Sequence, residues 1–185
     1  MDQTVAPKAN PAVTVLMAVH NCARFLEEAL TSVAAQELTD YEFIIIDDGS
    51  TDGSSQILTD AAAVDHRIRL FRNETNIGLT RSLNIGLQHA RGAYVARLDG
   101  DDICMPERLA RQLAFLEHSP DHVAVACGYT LIDDHGRTLR NVDAPLDDWQ
   151  IRFIAGFNPP APHPAYFFRR EVESGVPIMY DERFV

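Results

Sequence analysis

Between residues 13 and 118 the chain alternates four short apolar runs with segments of helical period, and this alternation points to a fold built on a parallel sheet. Residues 13–19 are β-branched and mostly apolar, and they stop at His20-Asn21, where Asn21 is expected to cap the next helix. That helix carries Phe25, Leu26, Ala29, Leu30 and Val33 on one face. Residues 41–46 form the second apolar run, 54–64 the second helical segment and 68–71 the third run. Leu79, Leu83, Leu87 and Ala90 mark a third helix with Gly92 suited to its C′ position, and residues 93–98 read as the fourth strand. Pro106 fits the first position of a fourth helix, whose stripe is Leu109, Leu113 and Leu116. Long helical connections between strands imply right-handed crossovers, so the predicted fold class is α/β: a mostly parallel, Rossmann-like sheet with helices on both faces.

Residues 123–130 read as a further strand and Asp133-Asp134-His135-Gly136 as a tight turn. Beyond them the pattern is less regular, with Leu146, Trp149 and Phe153 at helical spacing and a proline-rich stretch over 158–164. At 185 residues the chain suffices for one compact domain. Within it, residues 1–11 are a polar leader, 12–140 the α/β region and 141–185 the start of a smaller, irregular region of the same domain. A formal charge of −11 argues against a nucleic-acid surface, which needs clustered Lys and Arg. Cys22, Cys104 and Cys127 are odd in number and lack metal-type spacing, which fits a reducing compartment. The leader has no charged n-region and apolar core, and the run 13–19 is far too short to span a bilayer. The expectation is a soluble, cytoplasmic chain without a transmembrane segment, with docking at the inner face of a membrane left open.

In a parallel sheet, ligands bind beyond the carboxyl ends of the strands. His20, Asp47, Asp48, Asn76, Asp99 and Asp101 all follow strand-like runs, so they are predicted to converge on one edge. Asp47-Asp48-Gly49-Ser50-Thr51-Asp52 reads as a turn with helix caps, and equally as a binding loop in which Asp48 accepts a hydrogen bond from a base N–H such as uracil's. Asp99-Gly100-Asp101-Asp102 packs three carboxylates into four residues. Two carboxylates about 4 Å apart repel by roughly 4 kcal/mol at an effective dielectric of about 20, so such a cluster favours a cation. Asp99 and Asp101 are suited to flank Mg²⁺ or Mn²⁺ that still carries water and diphosphate oxygens, with Gly100 permitting close approach and Asp102 capping the following helix. Arg81 and Arg97 are local cations through which an acidic chain can still attract an anionic nucleotide.

Residues 13–21, 41–53, 76–84 and 92–108 together resemble the nucleotide-binding half of the family 2 glycosyltransferases, a large inverting group with a GT-A fold. The match is carried by Asp47-Asp48-Gly49-Ser50-Thr51-Asp52, by Gly78-Leu79, by Gly92-Ala93-Tyr94, and by Asp99-Gly100-Asp101-Asp102 ahead of Pro106-Glu107-Arg108-Leu109. The resemblance implies a nucleoside-diphosphate sugar donor, a UDP-sugar foremost. It implies that Ala18, His20 and Asn21 line the base and ribose, with His20 replacing an aromatic common at that position. By the same resemblance Asp48 contacts uracil, Asn76 borders the nucleotide, and Arg81 lies near the base or phosphate. Asp99 reaches the ribose or a metal-bound water, and Asp101 ligates Mn²⁺ or Mg²⁺.

The family's general base, which activates an acceptor hydroxyl, usually lies in a Glu-Asp pair shortly after a Tyr-Asp-Glu-x-Phe-like stretch. Residues 180–184 are that stretch and the sequence ends at Val185, so no catalytic base is assigned. The expectation is the N-terminal part of a longer transferase acting on a saccharide or lipid-linked acceptor, the alternative being a sugar-nucleotide-binding module without turnover. Asp181 and Glu182 read as a polar turn. His163 with Pro164 matches a His-Pro pair often found ahead of the acceptor side, and equally reads as a rigid turn with a part-buried imidazole.

Overall fold

The computed structural model describes residues 10–144, 147–155, 159–172 and 175–183; most of the polar leader, Leu146, and Phe184-Val185 lie outside them. The four expected strand–helix units form in order: β1 (Val13–Val19), α1 (Ala23–Ala34), β2 (Tyr41–Asp48), α2 (Ser54–Val64), β3 (Ile68–Asn73), α3 (Leu79–His89), β4 (Tyr94–Arg97) and α4 (Arg108–His118). After them come β5 (Ala124–Ala126), β6 (Tyr129–Ile132), β7 (Thr138–Val142), α5 (Asp148–Ala155), a 3₁₀ turn at His163–Ala165, and β8 (Tyr166–Arg169). Six strands make one sheet in the order β3-β2-β1-β4-β8-β5. The first four are mutually parallel, with Val15 opposite both Phe43 and Ala96. Strand β8 runs antiparallel to β4 and β5, so the region after residue 140 returns to the same sheet.

Strands β1 and β2 are apolar on both faces because both faces are covered. Val13, Val15, Met17, Phe43 and Ile45 pack with Leu26, Leu30 and Val33 of α1, Leu58 of α2, and Leu109, Leu113 and Leu116 of α4. The alternate residues Leu16, Ile44, Ile46 and Val95 pack with Leu83 and Leu87 of α3, with Ile178 and Tyr180 closing against them.

Several local expectations shift. The apolar run 123–130 is two strands: β5 stays in the sheet, and after Cys127-Gly128 the chain leaves to form the β6–β7 hairpin. The Asp133–Gly136 turn closes that hairpin, with Gly136 at φ +75° and Asp133 Oδ1 accepting from the amides of His135 and Arg137, each at 2.9 Å. Gly92 is not a C′ residue, since α3 ends at His89 with Ala90 as its cap. Its constraint is space, because a Cβ there would lie 2.5 Å from the Thr14 amide nitrogen of β1. Pro106 precedes α4 by two residues and lies in the turn before it, its carbonyl accepting from the Glu37 amide at 3.0 Å.

At the amino end of the sheet, Glu42 is buried with its carboxylate fully engaged. It accepts from Thr14 Oγ1 (2.8 Å), the Arg91 amide (2.6 Å), Arg69 Nη1 (2.7 Å) and Arg91 Nε (2.9 Å). Burial alone would raise its pKa, but Arg69, Arg91 and Thr14 together hold it below the ordinary 4.5. A carboxyl depressed in the folded state stabilises above its unfolded pKa and loses that contribution as pH falls through the folded value. Folding stability should therefore fall as pH drops below about 4.5. Glu42→Gln should lower stability at pH 7 by about 2 kcal/mol and flatten this acid limb, measured by urea denaturation between pH 3 and 7.

Candidate functional site

The chain adds β2 and β3 on one side of β1 and then crosses to place β4 on the other, so the sheet's order reverses between β1 and β4. A crevice opens at the carboxyl ends of strands at such a reversal. His20 and Asn21 follow β1 there, and Asp99 to Asp102 follow β4. The two loops touch: a Cβ on Gly100 would come within 3.2 Å of Val19 Cγ2 and 3.5 Å of Cys22 Cβ. The Cys22 thiol senses both, pushed up by burial and then by Asp101, Asp52 and Asp99.

The loop after β1 is stitched to the loop after β2. Asn21 adopts the left-handed region at φ +55°, which Asn tolerates, and its Oδ1 accepts from the amides of Thr51 (2.8 Å) and Asp52 (3.3 Å). The expectation that Asn21 caps α1 is not met. The Ala23 amide at the start of α1 instead donates to Asp52 Oδ2 at 3.1 Å, and the Cys22 amide donates to Ser54 Oγ at 2.9 Å. Asp47 likewise serves the turn, accepting from the Ser50 amide at 3.0 Å and from the Ser55 hydroxyl. The turn-and-cap reading holds for Asp47 and Asp52. His20 Nδ1 is 2.9 Å from the Asp48 carbonyl, which fixes Nδ1 as the donor, and Nε2 then accepts from Asn21 Nδ2 at 3.2 Å. Ala18 lies on β1 opposite Ile46, part-buried against the α3 side of the core.

Asp48 is buried and already well supplied with donors. Oδ1 accepts from Asn73 Nδ2 (2.8 Å) and the Ile77 amide (2.9 Å), and Oδ2 accepts from the Gly78 amide (3.0 Å). Burial works to raise its pKa, but the bonds from Ile77, Asn73, Ser82 and Gly78 prevail and hold it below the usual carboxylate value. This carboxylate braces the 73–78 loop. Asn76, exposed, shapes the same loop by accepting from the Gly78 amide at 2.9 Å. Gly49, next to Asp48, sits at φ +67°, and a Cβ there would lie 2.5 Å from the Thr75 carbonyl carbon.

At the end of β4, Arg97 is wholly buried and bonds the Leu98 carbonyl and Asp99 Oδ1. Asp101 is exposed, with no hydrogen bond or ion pair among the described residues. Asp102 is not a helix cap, because α4 starts at Arg108 behind Glu107. It is half-buried, and burial, followed by the charges of Asp99 and Asp101, pushes its carboxyl up to about 6. His163, part-buried in its 3₁₀ turn, bonds the Tyr180 hydroxyl at 2.8 Å, and both side chains feel the charges of Arg97 and Asp99. Arg81, exposed on α3, pairs with Glu182 at 3.6 Å and has no contact with the acidic loop among the described residues. Asp181 is taken up by Arg183. Asn84, unremarked in the sequence, holds residue 180 by donating to its carbonyl (3.0 Å) and accepting from its amide (2.9 Å).

The site thus joins His20, Asn21 and Asp48 to one another and brings the Asp99–Asp102 loop against the loop after β1, while Arg81 pairs with Glu182. Gly49→Ala should cost about 2 kcal/mol or more, through the left-handed backbone and the collision with Thr75, whereas Gly136→Ala, also at positive φ but in open space, should cost only about 1 kcal/mol. Thermal denaturation of the two variants side by side reads the difference.

Comparison with known proteins gives a consistent answer. The sequence model described as glycosyl transferase family 2 matches residues 14–173. EpsE of Bacillus subtilis, named as a glycosyltransferase, is 42% identical over 142 residues, which are 74% of this chain and 51% of that protein. The amylovoran biosynthesis glycosyltransferase AmsE of Erwinia amylovora is 32% identical over 146 residues, covering 79% of this chain and 54% of AmsE. The chain spans about half the length of these relatives. Among solved structures, the mannosyltransferase PcManGT of Pyrobaculum calidifontis, in complex with GDP-Man and Mn²⁺, is 28% identical with a TM-score of 0.59, over 69% of this chain and 39% of that one. Staphylococcus aureus TarS 1-349 in complex with UDP shares the fold at a TM-score of 0.67 and 22% identity, over 85% of this chain and 46% of that one. With the parallel sheet, the acidic loop at its reversal point and these matches together, the chain belongs to glycosyl transferase family 2.

Proposed function

We propose that the chain is the donor-binding half of an inverting, metal-dependent glycosyltransferase, one that takes a nucleoside-diphosphate sugar, a UDP-sugar foremost, and passes the sugar to a hydroxyl of a saccharide or lipid-linked acceptor. The carrying observation is the meeting of the Asp99–Asp102 loop with the His20-Asn21 loop beyond the carboxyl ends of β1 and β4. PcManGT, solved with GDP-Man and Mn²⁺, supports a nucleotide-sugar ligand, and the names of AmsE and of the teichuronic acid biosynthesis relative TuaG support a role in making polysaccharide.

The residues present fit a hard divalent ion. Mg²⁺ and Mn²⁺ take oxygen ligands, and Mg²⁺ in particular keeps several waters and is held by one or two carboxylates together with substrate phosphates. Asp101, exposed, and Asp99 would supply the carboxylates, and the half-buried Asp102 adds negative field that favours a cation. Among the described residues no three His, Cys, Asp or Glu side chains converge to hold an ion. When bound, the ion would offset negative charge on the departing diphosphate. His20 offers an imidazole face to the base, Asn21 and Ala18 border the base and ribose, and Asp48 contacts the uracil. Asn76 bounds the nucleotide on the far side, and Arg81 on the rim attracts its phosphates. The general base is assigned to no residue of this chain. No helix among the described residues is long and apolar enough to cross a membrane, and a cytoplasmic protein working at the inner membrane face is the setting we propose.

Calorimetric titration with UDP, and GDP in parallel, tests the reading. UDP should bind more tightly with Mn²⁺ than with EDTA, and Asp101→Ala should weaken binding in Mn²⁺ by about tenfold or more. Unchanged UDP affinity in that variant would sink the metal assignment, and preference for GDP would move the donor to a guanosine nucleotide.

A further inference from the structure

Arg97 is the largest wholly buried side chain among the described residues, placed between Ala96 and Leu98 at the end of a central strand. Burying a guanidinium is costly, and an apolar side chain of similar volume would commonly serve the fold as well or better. Nη1 donates to the Leu98 carbonyl and Nη2 to Asp99 Oδ1, while Nε is buried without a partner. Asp99 is the one carboxylate bonded to it among the described residues. Two groups from the far end of the chain, His163 and Tyr180, bonded to each other and packed edge-on at 5.1 Å, lie within the fields of both Arg97 and Asp99. The Arg97 backbone is itself held, its carbonyl accepting from Arg108 Nη2 at 2.9 Å.

We propose that Arg97 is a positioning residue of the donor site: it clamps Asp99 through Oδ1, so that Asp99 meets the donor in one fixed orientation through Oδ2. The inference rests on the donor-site reading above. A charge-assisted bond from a rigid, buried donor restricts the carboxylate more than water or Lys would. Arg97 acts only through Asp99, for it has no exposed surface with which to touch a ligand.

The test is a double-mutant cycle on UDP binding in Mn²⁺, with Arg97→Lys, Asp99→Asn and both together, each variant's fold checked by circular dichroism and its melting temperature. Each single change should weaken UDP about tenfold, and the double variant should be no weaker than Asp99→Asn. Additive losses, about a hundredfold in the double variant, would overturn the proposal, as would an Arg97→Lys variant that melts earlier yet binds UDP normally. If Arg97→Lys does not fold, Arg97→Gln/Asp99→Asn, which leaves neither charge without its partner, replaces it: affinity equal to Asp99→Asn supports the clamp and a further tenfold loss refutes it. If that pair also fails to fold, the strand needs Arg97 for itself and the proposal is overturned. Wild-type protein that binds no nucleoside diphosphate at all defeats the donor reading instead, so the two failures are distinct.

Discussion

Parallel pairing on both edges of β1 is the constraint from which the rest of the molecule follows. Parallel neighbours need long crossovers, so helices must cover both faces, and every strand must deliver its following loop to the same edge. Because β2 and β4 flank β1 from opposite sides, the loops leaving β1 and β4, both bound for helices on one face of the sheet, meet at its carboxyl edge and line the gap there. The residues lining that gap come from places about eighty positions apart in sequence, yet the backbone geometry alone sets their separation. The Gly92 and Gly100 approaches show how little spare space this pairing tolerates at either end of the same strand pair.

Charge is divided between the two ends of the sheet according to its use. At the amino end Glu42 is buried and answered by Arg69, Arg91 and Thr14, a closed network in which each hydrogen-bonding position has a partner. At the carboxyl end the acids are sorted by exposure. Asp47, Asp48 and Asp52 are consumed by loops and helix starts, Asp99 is half-answered by Arg97, and Asp101 faces water. Among the acids that follow β1, β2 and β4, unanswered negative charge is thereby confined to the loop after β4. The net charge of −11 carries no hint of that confinement, since it sums groups whose roles are opposite.

The strand–helix order was legible because hydrophobic period and the crossover rule act locally, and the first four units were located to within a few residues. Strand β8 was not, because its four residues follow a proline-rich stretch and draw their stability from antiparallel neighbours far away in sequence. The 123–130 run looked continuous because periodicity records burial and cannot show that Cys127-Gly128 turns the chain from one sheet into another. Strand-end acids were recognised as a group, but their division of labour was hidden, since a capping Asp and a ligand-facing Asp have the same spacing from a strand. Asn21 illustrates this: its type suits a helix cap, and tertiary packing gave that task to Asp52 and turned Asn21 toward the neighbouring loop. Arg97 left one readable trace, a cation inside an apolar strand directly before an acid.

The paired bonds between the Asn84 side chain and the backbone of Tyr180 have a mechanical meaning. A primary amide that both donates to and accepts from one residue imitates a strand neighbour, and slipping the segment by a single residue would break both bonds. Asn84 stands on α3, whose start follows Gly78, and Gly78 is gripped by Asp48; Tyr180 in turn bonds His163. Asp48, Gly78, Asn84, Tyr180 and His163 therefore form a linked belt around one side of the crevice. Displacing the loop ahead of α3 would tug on the segment carrying Tyr180, so the early and late parts of the chain are geared to each other there and do not hinge independently.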